Sequence, residues 1–158
     1  MNRQAHSRDL RKGRFSQSGG IYLLTWATEK RVPWFADWRL GRLVVAALHQ
    51  SHEKGEAETW AFVVMPDHVH WLIGLGDHCL SGVVRSVKSR AGFQVKKSLL
   101  AQGRIGRKDA IWQDGYHDHA LRSEEILEDV ARYIVMNPVR AGLVTSVRDY
   151  PLWYAKWL

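Results

Sequence analysis

VVMPDHVHWLIGL, residues 63–75, is the stretch of this chain that decides the fold. Apolar and β-branched residues run up to a Pro-Asp pair that is typical of a turn, and a second apolar run follows it. The sequence therefore predicts two antiparallel strands, 59–65 and 68–75, joined by a tight hairpin.

Two histidines, His68 and His70, stand one residue apart at the start of the second strand. Side chains alternate between the two faces of a strand, so both imidazoles project from one side and Val69 from the other. Two such imidazoles form half of a site for a divalent metal. The pattern alone is weak, because His117 and His119 repeat it, and an ordinary histidine pair on a half-exposed strand has the same spacing.

Downstream of the hairpin, residues 80–101 have the spacing of an amphipathic helix that begins near Ser81 or Gly82. One face is apolar, with Val84, Val87, Ala91 and Val95. The other face carries cations for which we predict contact with a nucleic-acid backbone, although a solvated face has the same pattern. These cations are Arg85, Lys88, Arg90, Lys96 and Lys97.

The segment after this helix leads to a second helix that carries candidate functional residues. A basic loop over 102–109 contains Arg104, Arg107 and Lys108, and a fourth strand is predicted over 116–121. Ser123 then caps a helix that ends by Asn137, because the proline that follows cannot continue it.

Upstream of the hairpin, residues 21–28 predict a first strand and residues 38–52 a helix capped by Asp37. Residues 1–20 form a basic arm, in which we expect Arg11, Lys12 and Arg14 to meet a phosphate backbone; a frayed terminus is the alternative. The aromatic tail from residue 141 is expected to pack back onto the domain.

The order of these elements predicts one domain over 21–158 with a ferredoxin-like α+β sandwich, an antiparallel sheet with helices on one face. The third helix, which carries Tyr133, should lie near the strand of the histidines. This architecture hosts many unrelated activities, so function has to be argued from the site.

Composition limits the classes of function. The 158 residues are 46% hydrophobic with a formal net charge of +7, which favours a polyanionic partner, although plain solubility has the same signature. The lone Cys79, expected to be buried and inert, excludes an internal disulfide and fits a reducing cytoplasm. No apolar run of about 18 residues predicts a membrane helix, and the first 20 residues lack the apolar stretch of a signal peptide.

Tyr133 and Asn137 are four residues apart and therefore share one face of the third helix. If that face packs over the histidine strand, Asn137 could add an oxygen ligand and Tyr133 could reach a phosphate at the metal. A phenol has a pKa near 10, so as a nucleophile it needs a phosphate that is already polarised. The alternative is that Tyr133 is a core residue.

Four segments together resemble a known family. Their order and spacing are similar to those of the single-tyrosine transposases with a His-hydrophobic-His motif, and most to the bacterial branch called REP-associated tyrosine transposases. The resemblance covers about residues 13–150. The segments are GIYLLTWATEKRVPWF (20–35), VVMPDHVHWLIGL (63–75), IWQDGYHDHALRSEE (111–125) and ARYIVMNPVRAGLV (131–144).

The resemblance implies a role for four residues. His68 and His70 would bind Mg²⁺ or Mn²⁺, Tyr133 would be the nucleophile, and Asn137 would be the third metal ligand, where relatives in the wider group often carry glutamine. The implied reaction is attack on a phosphate of single-stranded hairpin DNA, with a 5′-phosphotyrosine intermediate and a free 3′-hydroxyl. Rejoining then needs no ATP, so no nucleotide cofactor is expected.

The family also implies a setting: the bacterial cytoplasm, in association with the nucleoid, with hairpin DNA from repetitive palindromes as partner. Either a monomer or a homodimer is compatible with the sequence, because in the wider group the tyrosine can act across a dimer.

Three other readings stay open at the level of sequence. One is a non-catalytic binding module whose Trp60, Trp71 and Tyr22 stack on bases. Another is a metal nuclease that uses water, in which Tyr133 is structural, and the third is a basic domain without a site. A four-histidine zinc site that adds His117 and His119 is disfavoured, since the first strand should separate the two pairs; phosphate contact or packing is preferred for them.

Overall fold

The computed structural model describes residues 19–122 and 124–158, so Arg11, Lys12, Arg14 and the predicted cap Ser123 lie outside the described residues. The strands are β1 (Ile21–Ala27), β2 (Glu58–Met65), β3 (His68–Gly74), β4 (His117–Leu121) and β5 (Trp153–Ala155). The helices are α1 (Trp38–Glu53), α2 (Leu80–Ala101), α3 (Glu124–Val135) and α4 (Asn137–Arg140).

The strands form one antiparallel sheet in the order β4-β1-β3-β2-β5. The predicted hairpin is confirmed, with Met65 opposite His68 across the turn. On the other side of β3, Thr25 lies opposite His70. The predicted α+β class is therefore confirmed, and β1 separates β4 from β3 as expected.

One face of the sheet is covered by α1 and α2. Trp26 and Trp71 project from it, with ring centroids 6.3 Å apart, and Trp26 also meets Trp112. The indole nitrogen of Trp112 donates to the backbone oxygen of Lys88 on α2, at 2.9 Å. Each large apolar side chain buried here contributes roughly 1.5–3 kcal/mol to folding, so this face is the main core.

The two long helices form as their sequences predict. The side chain of Asp37 caps α1 by accepting from the backbone nitrogen of Arg39 at 3.0 Å, and this satisfies a donor that has no partner inside the helix. The apolar face predicted for α2 is confirmed as buried: Val84, Val87, Ala91 and Val95. No side chain caps α2, whose N-cap position is Cys79 rather than Ser81 or Gly82.

The third helix packs on β2 and β5 and covers the opposite face of the sheet. Its buried residues Leu127, Ala131, Ile134 and Val135 recur at helical spacing. The helix ends at Val135, two residues before the predicted end, and the chain continues at once into the single turn α4. The sandwich thus has helices on both faces, with the tyrosine helix on the histidine side as expected.

The C-terminal tail packs back onto the sheet, as predicted, and also adds a strand that the sequence did not indicate. The buried hydroxyl of Tyr150 donates to the backbone oxygen of Val64, and the nitrogen of Val64 donates to the oxygen of Leu152 at 2.9 Å. β5 then pairs with β2, so the tail completes that edge of the sheet.

One expectation and one part of an alternative reading, both about individual side chains, were wrong. Cys79 is exposed rather than buried, because it precedes α2 at the end of a loop. Tyr22 and Trp71 are 6% and 0% exposed, so neither can stack on a base, and Trp60 is already stacked on Trp157 at 5.6 Å. Within the described ranges, no helix has the length and apolar character needed to span a bilayer.

Candidate functional site

The two histidines of β3 lie side by side on the face covered by α3. Their ring centroids are 4.9 Å apart and their planes are perpendicular. His70 shares this face with Thr25, which is opposite it on β1 and whose hydroxyl lies 2.9 Å from Nδ1 of His70. Strand alternation therefore brings the imidazoles together as the sequence predicts.

Asp67, the last residue of the hairpin turn, fixes the other ring. Nδ1 of His68 donates to Oδ1 of Asp67 at 2.7 Å, and Nε of Arg31 donates to Oδ2 at 3.0 Å. Burial alone would raise the pKa of Asp67, but the hydrogen bond to His68 and the charges of His68 and Arg31 hold it below its ordinary value. The carboxylate thus holds the ring of His68 through Nδ1, which leaves Nε2 as the nitrogen that could face a metal.

His70 is uncharged at neutral pH. Burial, followed by the charges of His68, Arg140 and Arg31, lowers the pKa of His70 to about 4. A neutral imidazole is the form that binds a metal.

Tyr133 lies on the outer side of α3 and is 64% exposed, which contradicts the reading that it belongs to the core. The neighbouring Ala131 and Ile134 are both 1% exposed, so the helix is anchored on either side of the tyrosine in sequence. An exposed phenol on a fixed helix is available to a substrate.

Arg140, at the end of α4, joins the tyrosine to the rest of the site. Its guanidinium carbon lies 3.9 Å from the centre of the Tyr133 ring. Its Nη2 donates to the backbone oxygen of Tyr133 and to Oδ1 of Asn137, each at 2.6 Å. Its charge also contributes to the lowered pKa of His70, so this one cation acts on the tyrosine, the asparagine and one histidine of the pair.

The donor atoms fit a divalent ion with mixed nitrogen and oxygen ligands. Among the described residues, no group of three or more His, Cys, Asp or Glu side chains could hold a metal. A third protein ligand beside His68 and His70 would therefore be of another type, and the amide oxygen of Asn137 is one that Mg²⁺ or Mn²⁺ accepts. That oxygen is turned to Arg140 here.

The second histidine pair is partly aligned with the first. Thr25 on β1 lies opposite His117 of β4 on one side and opposite His70 of β3 on the other. β1 therefore stands between the two pairs, as expected, and the four-histidine zinc site finds no support among the described residues. His117 and His119 are both exposed.

The cations predicted to contact DNA fall into two places. Those of α2 lie across the sheet from the histidines, since α2 packs on the face of Trp112 and Trp26. Of these, Lys88 donates to the backbone oxygens of Gln113 and Gly115, and Arg90 pairs with Glu56 at 2.8 Å. Arg85, Lys88, Arg90 and Lys96 therefore do not converge with the site.

The basic loop 102–109 lies closer to the site. The guanidinium of Arg104 lies 5.3 Å from the centre of the Trp34 ring. Phe35, which follows Trp34, donates its backbone N–H to the backbone oxygen of Pro66 in the hairpin turn at 3.0 Å. Arg104, with Arg107 and Lys108 on the same loop, is thus at the end of the sheet where His68 begins β3.

Sequence analysis missed four residues of the site: Thr25, Arg31, Asp67 and Arg140. Asp67 could have been found, because a carboxylate next to a candidate ligand histidine is a common supporting pair. Thr25 could not, since it meets His70 only through strand pairing. Arg31 could not either, since it joins the site through a contact with Asp67, 36 residues away in sequence. Arg140 has a weaker signal, because it follows Asn137 by three residues on one helical turn.

The chain is similar in sequence to known transposases. Residues 16–137 match the family model described as "Transposase IS200 like". A protein of Haemophilus influenzae, named as a REP-associated tyrosine transposase, is 28% identical over 138 residues, which are 84% of this chain and 78% of that protein. A REP-associated tyrosine transposase of Escherichia coli K12 is 32% identical over 93 residues, 58% of this chain and 50% of that protein.

Two solved structures share the fold. One is a REP-associated tyrosine transposase bound to a REP hairpin, with a TM-score of 0.69, 26% identity, and coverage of 89% of this chain and 79% of that one. A Deinococcus radiodurans protein has a TM-score of 0.57 at 24% identity, over 77% of this chain and 93% of that one, and shows likeness of fold only. The chain therefore belongs to the IS200-like transposase family, in the branch of the REP-associated tyrosine transposases.

Proposed function

We propose that this transposase cleaves and rejoins single-stranded DNA through a covalent bond between Tyr133 and a 5′-phosphate. The observation that carries the proposal is the exposed Tyr133 ring held under Arg140, whose charge also acts on His70. A nucleophile, a cation and two imidazoles are thus gathered on one face of the sheet. A water-using nuclease would have no need for an exposed phenol in this position.

His68, His70 and Asn137 are the residues that would hold Mg²⁺ or Mn²⁺. When bound, the ion would supply Lewis-acid polarisation of the phosphate. The protein fixes both rings beforehand: Asp67 holds His68 through Nδ1, and Thr25 lies in hydrogen-bond contact with Nδ1 of His70. Ligands that are held in place from behind keep their orientation when an ion binds.

In the proposed step, Tyr133 Oη forms a bond to phosphorus and the bond from phosphorus to the 3′-oxygen breaks. The phenol gives up its proton and the departing 3′-oxygen takes one up, so charge and atoms balance. One phosphodiester replaces another, and the reverse attack by a 3′-hydroxyl rejoins DNA without an energy source. Because His70 is neutral, the positive charge beside the phosphate would come from Arg140 and the metal.

The substrate we propose is a DNA hairpin with a single-stranded flank. The similar transposase of known structure is bound to a REP hairpin. In this chain, the basic loop 102–109 and Arg31 lie at the hairpin-turn end of the sheet, where they could follow a phosphate backbone toward the histidines. Trp34, under Arg104, adds an aromatic ring to that path.

The test is to incubate the purified protein with labelled hairpin DNA from the repeats flanking its own gene, with Mn²⁺ or EDTA, and to separate products on a denaturing gel. We expect a protein–DNA adduct with Mn²⁺ that is lost in Tyr133→Phe. Tyr154→Phe is the matched control, because Tyr154 is also an exposed tyrosine but stacks on Phe62 on the other face of the sheet.

Each outcome separates one reading from another. Cleavage without an adduct would identify a nuclease that uses water, and would remove Tyr133 from the mechanism. Hairpin binding without cleavage in the presence of Mn²⁺ would favour the non-catalytic module. An adduct that persists in Tyr133→Phe would mean that another residue is the nucleophile.

A further inference from the structure

We propose that Arg140 binds the phosphate that Tyr133 attacks, through the part of its guanidinium that faces away from Asn137. The inference rests on the proposed function and deepens it, because it assigns the group that receives the scissile phosphate. It begins from the position of Arg140 over the tyrosine ring, where its guanidinium also donates to Tyr133 O and Asn137 Oδ1.

The guanidinium has donors left for a ligand. Both recorded hydrogen bonds come from Nη2, to Tyr133 O and Asn137 Oδ1. An arginine carries five N–H donors in a planar fork that matches two oxygens of a phosphate. The donors on Nη1 and Nε are therefore those we assign to the phosphodiester.

Among the side chains that the structure describes, the charge of Arg140 also lacks an acidic counterpart. Within residues 19–122 and 124–158, the ion pairs take other cations: Arg31 with Asp67, Arg90 with Glu56, Arg132 with Glu128, and Lys156 with Glu58. None of these described pairs includes Arg140, although it contacts three groups. A cation held in place with no carboxylate beside it favours an anionic ligand.

The aromatic contact ties this charge to the nucleophile. A guanidinium 3.9 Å from the ring centre is within the range of a cation–π interaction, so the ring and the guanidinium hold each other in place. A phosphate bound to Arg140 would thus lie beside the phenol. As the phenol attacks, negative charge grows on the non-bridging oxygens, and an arginine already bound to them stabilises that charge.

A purely structural role for Arg140 makes a different prediction. Cations near a helix C-terminus stabilise the last carbonyls, and Arg140 donates to the carbonyl of Tyr133 in the last turn of α3. In that case the loss of Arg140 would lower stability and would affect all DNA ligands alike. The experiment must therefore remove the phosphate charge as well as the arginine.

Cleavage by the natural protein first maps the attacked phosphate. Two hairpins are then made, one with the ordinary diester and one with an uncharged methylphosphonate at that position. Affinities are measured by fluorescence anisotropy, with no metal added, in Tyr133→Phe protein, so that nothing is cleaved. The same measurements follow for Tyr133→Phe with Arg140→Ala, Arg140→Lys or Arg132→Ala. Arg132 is the control because it is an exposed arginine beside Tyr133 in sequence, but is paired with Glu128.

We expect Arg140→Ala to weaken binding of the diester by roughly 10-fold or more, as for a lost hydrogen bond between charged groups. Binding of the methylphosphonate should change little, and Arg140→Lys should recover part of the loss. Arg132→Ala should reduce binding of both hairpins by the same small factor, and thermal unfolding of each variant shows whether it is folded.

An equal loss on both hairpins, or no loss on either, would overturn the role of Arg140. If the natural protein forms no adduct with any hairpin, the proposed function fails first and this inference fails with it. An adduct from the natural protein combined with an equal loss on both hairpins would instead leave the function in place and reject Arg140 alone.

Discussion

Asp67 contacts both His68 and Arg31. Because it lies in the turn, it needs no long-range contact to reach His68, only the local geometry of the hairpin. The carboxylate keeps one ring of the pair oriented, which is a function of a supporting group behind a metal ligand.

We therefore expect Asp67→Asn to weaken Mn²⁺ binding by about 10–100-fold, the usual effect of losing a supporting carboxylate. The measurement is the dissociation constant of Mn²⁺ by electron paramagnetic resonance, on protein without DNA. Asp114→Asn, which alters an exposed carboxylate of another loop, is the control. Unchanged Mn²⁺ affinity in Asp67→Asn would mean that His68 does not bind the ion in this way.

At the scale of residues, the sequence predicted those site residues that are close together in sequence and have a regular spacing. His68 and His70 are two positions apart on a strand, so the sequence predicts that both lie on one face, and the structure confirms this. The sequence could not show that Arg140 lies over Tyr133, because the six residues between them include the end of one helix and the start of another. Contacts across such a break depend on how the two segments are placed.

At the scale of elements, α1 is held to the rest of the molecule by a close approach at Gly41. A Cβ added at Gly41 would lie 2.3 Å from Cδ1 of Leu152, on the segment that leads into β5. Leu152 is 2% exposed, so its side chain has little room to move away. The glycine therefore lets the C-terminal segment seat against the helix.

Gly41→Ala should consequently destabilise the protein. Alanine favours a helix over glycine by about 0.5–1 kcal/mol, whereas overpacking a core costs about 1–3 kcal/mol. We expect the clash to prevail and the free energy of unfolding, measured with urea, to fall by about 1–2 kcal/mol. Gly76→Ala is the control, since nothing lies within 4 Å of a Cβ at that exposed position. An equally stable or more stable Gly41→Ala protein would show that Leu152 can move.

Some helices and strands could be predicted from local sequence signals, whereas others form only through contacts with distant parts of the chain. The helices α1 and α2 and the β2–β3 hairpin follow from local signals, namely a capping Asp37, apolar spacing and a Pro-Asp turn. β5 does not, because its three residues have no alternation long enough to read and become a strand only by pairing with β2. The boundary between α3 and α4 was also missed, although the proline that follows Asn137 did indicate that the helix stops nearby.

At the scale of the whole molecule, the sheet separates the cations of α2 from those of the loop 102–109. The long helix α2, on which five cations were predicted to contact DNA, lies on the face away from the histidines, and its Lys88 and Arg90 make contacts within the fold. The loop 102–109 lies at the turn end, beside Trp34. A net charge of +7 thus says that a polyanion is favoured, whereas only the fold says where it would bind.

This division predicts how affinity for DNA depends on salt. Each phosphate neutralised on a single strand contributes about −0.7 to the slope of log K against log salt. If Arg107 and Lys108 both contact phosphate, the double variant Arg107→Ala, Lys108→Ala should make the slope shallower by about 1.4. Both side chains are exposed, so the change should leave stability nearly intact.

The measurement is hairpin binding by fluorescence anisotropy over a series of NaCl concentrations, in Tyr133→Phe protein so that no strand is cut. Lys54→Ala is the matched control, because Lys54 is exposed on the loop between α1 and β2, at the other end of the sheet from Pro66. The slope should respond to the loop 102–109 and not to Lys54. If both variants shift the slope equally, the DNA does not distinguish the two ends of the sheet. A shift with Arg85→Ala but not with the double variant would place the backbone on α2, and the path proposed here from loop to histidines would be wrong.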